Sequence, residues 1–141
     1  MTETESNDQE TTALKCDCRA EDIVFLPCSG ASNCGQITNR AAVRLTQEGV
    51  GKMYCLAGIG AHIEGMVESA RGAKRIVALD GCKTACAKNT IEHAGLNVTD
   101  AVCATEEGIE KNHQFNITPE QVELVTQRTK QLLSKPARAR M

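Results

Sequence analysis

Cys28, Cys55 and Cys82 recur at equal intervals of 27 residues, each at or just after a short apolar run: Ile23-Val24-Phe25-Leu26-Pro27, Met53-Tyr54 and Arg75-Ile76-Val77-Ala78-Leu79. That interval is the length of one strand-plus-helix unit, because a parallel crossover needs about a dozen or more connecting residues. If the strands run parallel, their carboxyl ends share one sheet edge. Cysteines distant in sequence then arrive together in space. Cys86 follows Cys82 at the spacing of one helical turn, so the pattern reads as a four-thiolate pocket on an α/β sheet.

The segments between the runs carry helical periodicity and end in glycine. Gly49, Gly72 and Gly95 stand where helices should stop, in the position after a helix end that favours a left-handed backbone. One helix is expected over about 33–48, with Ile37, Ala41, Ala42 and Leu45 buried, and a second over about 61–71. A third should begin near Cys82 and bury Ala87, Ile91 and Ala94. Thr118-Pro119-Glu120-Gln121 is a capping box with proline at the first helical position, and Val122, Val125, Leu132 and Leu133 follow on one stripe to about Ser134. A weaker fourth strand falls around Val98 to Ala104, and 105–117 reads as a long loop.

Alternating strand and helix predicts a single doubly wound α/β domain. Its mostly parallel four-stranded sheet should have the order 2-1-3-4, with helices on both faces. In that order a switch point opens between strands 1 and 3, where such folds bind ligands outside the strand carboxyl ends. The expected domain covers 21–134. A flexible acidic tail over 1–20, carrying Cys16-Asp17-Cys18, precedes it, and a basic tail over 135–141 follows.

Composition narrows the function. With 2% aromatic residues and a net charge of −2, the chain lacks both the stacking platforms and the general positive field of a nucleic-acid binder. No stretch is apolar enough for a membrane span, and the acidic, polar N-terminus does not read as a signal sequence. The expected compartment is cytoplasmic, with a metal ion as partner and no nucleic acid or membrane. There, eight cysteines point to metal or redox chemistry rather than a disulfide framework.

Neighbouring strands lie about 4.8 Å apart, and a tetrahedral thiolate Zn2+ site needs sulfurs about 3.8 Å apart. Adjacent strand ends meet that requirement with small side-chain adjustments. Cys82 and Cys86, if both helical, form a two-point clamp, and a helix start there would favour thiolate over thiol. The competing reading is that a buried cysteine is a small apolar filler, and Cys103, inside the fourth strand, is assigned that role.

Pro27-Cys28-Ser29-Gly30, Cys55-Leu56-Ala57-Gly58 and above all Asp80-Gly81-Cys82 with Cys86 resemble the DGC domain family, named for that tripeptide. The resemblance covers about 23–117. It implies a prokaryotic protein whose Cys28, Cys55, Cys82 and Cys86 match the cysteines proposed in the family as zinc ligands. It carries no settled activity.

Cys34, in the first turn of the first helix, is a further candidate ligand if Cys55 points away, as are Cys16 and Cys18 if the tail folds back. Asp80 either orients Cys82 through loop amides or simply forms the turn. His62 is either a ligand or proton carrier near the pocket or a solvent-exposed residue, and His93 and His113 read as surface residues. Gly58-Ile59-Gly60 with Gly65 lacks the spacing of a dinucleotide loop and reads as a tight turn. Ser29 to Asn33 suit an anion cradle or plain helix capping equally.

Three functions follow. The first is a small zinc-binding protein using these thiolates. The second is a thiol/disulfide or sulfur-transfer enzyme in which Cys82 or Cys28 attacks and another cysteine resolves. The third is an iron–sulfur protein, since four thiolates also suit that cluster.

Overall fold

The computed structural model describes residues 20–137. Cys16, Cys18 and the last four residues of the expected basic tail lie outside them. After a 3₁₀ turn at Ala20–Asp22 come β1 (Ile23–Pro27), α1 (Asn33–Gln47), β2 (Lys52–Met53), α2 (Leu56–Gly60) and α3 (Glu64–Arg71). β3 (Arg75–Asp80), α4 (Cys86–His93), β4 (Asp100–Cys103), a 3₁₀ turn (Ala104–Glu107) and α5 (Pro119–Leu133) complete the order. The four strands are all parallel and lie in the order β2-β1-β3-β4, as the alternating pattern predicts.

The central strands β1 and β3 are buried along their whole length, as expected where helices cover both faces. Side chains alternate across the sheet. Phe25, Val77, Leu79 and Val102 pack with Ile37, Ala41, Ala42 and Leu45 of α1 and Val122, Val125 and Leu133 of α5. Leu26, Ile76 and Ala78 meet Ile59 of α2, Val67 and Ala70 of α3, and Ala87 and Ile91 of α4 on the other face. Thr118 caps α5 through its hydroxyl and Gln121 returns the bond, so the capping box forms as read. Among the described residues, no helix is long and apolar enough to cross a membrane.

Four local expectations are corrected. The helix expected over 61–71 starts at Glu64, because His62 takes a left-handed backbone (φ 57°), and a separate short helix, α2, precedes that turn. Gly58 and Gly60 therefore lie inside α2 rather than in a tight turn. Gly72 ends α3 at φ −78°, leaving the left-handed role to Gly49 and Gly95. The third expected helix starts at Cys86, not Cys82: Gly81 to Ala85 form a loop, and Ala85 itself is left-handed at the cap.

Arg75 at the start of β3 is buried with Asp100 of β4, their side chains 2% and 1% exposed, in a two-point ion pair of 3.1 and 2.9 Å. Arg75 also donates to the Leu132 and Leu133 carbonyls, and the Thr99 hydroxyl donates to Asp100. This pair ties the end of α5 to the sheet. Removing one partner strands a buried charge, so Asp100→Ala is expected to lower unfolding free energy by about 3–5 kcal/mol in urea titration. A loss under 1 kcal/mol would show that the pair is not the tie.

Candidate functional site at the carboxyl rim

Parallel strands bring a row of thiols to one edge. Cys28 continues β1, its N–H bonded to the Leu79 carbonyl of β3 at 2.8 Å. Cys55 follows β2 by two residues, Cys82 follows β3 by two, and Cys103 ends β4 in register with Asp80. Cys34 and Cys86 stand in the first turns of α1 and α4. All six are free thiols.

The motif Asp80-Gly81-Cys82 has a separate physical task at each position. Both Asp80 carboxylate oxygens accept from the start of α4, from the Ala87 N–H at 2.6 Å and the Lys88 N–H at 3.1 Å. Burial, the larger influence, nevertheless holds the Asp80 carboxyl above its ordinary range, with those two N–H bonds opposing. Gly81 lies against the start of α1: a Cβ there would stand 2.8 Å from the Cys34 carbonyl carbon and the Gly35 nitrogen. No side chain fits. Cys82 is thereby presented half-exposed beyond the strand end.

The thiols divide between the two faces of the sheet. Cys28 shares its face with Leu26 and packs beside α2 and α4, whereas Cys34 is buried with Val77 and Leu79 under α1. Burial raises the Cys28 thiol above its ordinary range; the Cys86 thiol and Asp80 add to the rise, and N–H groups of Gly30 and Gly81 directed at the sulfur oppose it. Cys34 is likewise raised by burial, then by Cys82 and Cys103. Cys55 caps α2, its sulfur accepting from the Gly58 N–H at 3.4 Å. The Cys103 sulfur lies 3.3 Å from the Thr105 hydroxyl.

Cys82 is different. Its thiol is lowered below the ordinary range, first by hydrogen bonds from the Thr84 hydroxyl and backbone, then by Lys111. The Lys111 ammonium donates to the sulfur at 3.5 Å. Cys82 is not in the first turn of α4, which begins four residues later. Lys111 is held by Asn33, whose buried side chain accepts from the Asn112 N–H at 2.7 Å and donates to the Glu110 carbonyl at 2.9 Å. Asn33, expected in either an anion cradle or a helix cap, is the first residue of α1, and Lys111, expected in a plain loop, is placed by a contact that no local pattern marks. Cys103, expected as an apolar filler inside the fourth strand, stands half-buried at that strand's last residue.

Thiolates are suitable donors for Zn2+. Among the described residues, however, no three His, Cys, Asp or Glu side chains stand as a ready-made metal cage. His62 meets His93 at the opposite end of α4 from Cys86.

A family model, the DGC domain, matches residues 24–129. The chain belongs to the DGC domain family. Its sequence is 35% identical over 86 residues to the anaerobic and virulence modulator AnvM of Pseudomonas aeruginosa strain PAO1, a match covering 61% of this chain and 66% of that relative. The chain thus spans just under two thirds of that relative's length. No solved structure matches it significantly.

Asp80→Ala leaves the Ala87 and Lys88 N–H groups without their partner, and loss of such a cap is expected to cost about 2 kcal/mol. Hydrogen exchange should then accelerate first in α4. Unchanged exchange there would mean that other groups hold the helix start.

Proposed function

We propose that this DGC-family protein is a small cytoplasmic zinc-binding protein whose Cys28, Cys55, Cys82 and Cys86 thiolates hold Zn2+ at the carboxyl rim. The observation that carries the reading is the delivery of free thiols from all four strand ends and two helix starts to one edge of the sheet. Four thiolates saturate zinc, which suits a structural, storage or regulatory role, and the ion would supply charge neutralisation and cross-linking of loops. The relative's name, a modulator of anaerobic behaviour and virulence, is in keeping with a regulatory rather than a metabolic part.

Full-length protein purified without oxygen is expected to carry close to one zinc, to be colourless, and to lose most of that metal in Cys28→Ser. Less than about half an equivalent of any metal would overturn the reading, since a tight structural site is near stoichiometric. Brown colour with visible absorbance would transfer the same cysteines to an iron–sulfur cluster.

A second reading, thiol/disulfide or sulfur-transfer chemistry, is favoured by one observation: Cys82 is half-exposed and contacted by Thr84 and Lys111 in ways that promote its thiolate. Cys34 and Cys103 would then be the resolving candidates. In metal-free protein, the pH midpoint for alkylation of Cys82 should lie below that of an ordinary thiol. Lys111→Gln should move it upward and slow the reaction at neutral pH by about twofold, the scale of an exposed charge contact. An unmoved midpoint would remove Lys111 from this role.

A further inference from the structure

Away from the thiol rim, two helix ends bring a pair of imidazoles together. His62 Nε2 lies 3.2 Å from His93 Nδ1, with ring centroids 5.2 Å apart and ring planes at 77°. Both rings are exposed. Their backbones are fixed by packing: a Cβ on Gly60 of α2 would sit 3.3 Å from the Thr90 methyl of α4. The turn at His62 is closed by its own N–H on the Ile59 carbonyl at 3.0 Å and by the Ile63 N–H on the Gly58 carbonyl at 3.1 Å.

Two nitrogens bound to one tetrahedral Zn2+ at 2.0–2.1 Å stand about 3.3 Å apart. The separation between these rings already has that value. One of the two nitrogens carries the proton that the other accepts. If that proton moves to the other nitrogen of its own ring, both facing nitrogens present lone pairs that can turn toward a common point, and exposure leaves the remaining coordination positions open to water.

We propose that His62 and His93 form a second, exposed metal site, a two-imidazole clamp for a borderline divalent ion such as Zn2+. Imidazole suits Zn2+, Cu2+ and Ni2+, whereas Mg2+ and Ca2+ prefer oxygen donors. On binding, each ring remains a neutral imidazole with its one N–H on the nitrogen facing away from the metal, so no net proton and no electron is transferred. The inference stands on the ring geometry alone and does not require that the rim thiols hold zinc.

The test is a zinc titration of the reduced full-length protein, following the carbon-bound ring protons of its three histidines by NMR. His62 and His93 are expected to shift together with one midpoint, while His113 stays in place. His93→Gln should weaken the His62 response at least tenfold. His62→Asn, which keeps a residue tolerant of the left-handed backbone, should do the same for His93. Mg2+ should move neither ring. The proposal is overturned if the rings do not respond to millimolar zinc, or if either responds with the same midpoint when the other is removed. Zinc held by the rim is counted separately, as the metal lost in Cys28→Ser, and the histidine signals are read in that variant too, so failure of the rim reading leaves this result legible.

Discussion

The close approach of Gly81 to the first turn of α1 sets the geometry of the whole rim. At the point where the winding of the sheet reverses, the loop that follows β3 and the first turn of the helix that follows β1 touch backbone to backbone. A Cβ on Gly81 would overlap Cys34 and Gly35, and one on Gly35 would lie 2.7 Å from the Gly30 nitrogen. Asp80 completes the constraint from the other side by gripping the start of α4. The tripeptide Asp80-Gly81-Cys82 is thus a structural joint as well as a source of sulfur. Its aspartate aims one helix, its glycine admits another, and its cysteine projects from the loop between them.

The same joint explains the distribution of the thiols. Strand alternation sends Cys28 toward the α4 face, while Cys34 is buried beneath α1 on the opposite face. Cys82 emerges at the end of the partition, in the company of Lys111 and Thr84. A shared edge therefore offers two local environments. Desolvation raises the thiols of half-buried Cys28 and buried Cys34, whereas the half-exposed Cys82 is lowered by its hydrogen bonds. Metal binding would override this difference, because an ion stabilises thiolate wherever it reaches sulfur.

The strand order and the placement of cysteines at strand ends were legible because apolar runs, helical periodicity and crossover length all point to one topology. The buried face of α1 and the capping box of α5 followed from spacing alone. The joint was less legible. Cys82 and Cys86 have helical spacing, yet Asp80 caps α4 four residues later than that spacing suggests, and Ala85 turns left-handed before it. Lys111 was hidden because its position depends on Asn33 clamping a segment 77 residues onward, which no local pattern encodes. The Arg75–Asp100 pair and the meeting of His62 with His93 are likewise long-range contacts. Their residue types gave no warning, since an arginine opening a strand and a histidine ending a helix ordinarily face water.

Whether the rim gathers its sulfurs around one ion is most directly measured by X-ray absorption at the zinc edge, on protein loaded with less than one equivalent. The account predicts a single shell of four sulfurs at about 2.3 Å from the metal. A shell dominated by nitrogen and oxygen at about 2.0 Å would contradict it, for the thiols would then share an edge of the sheet without sharing a ligand.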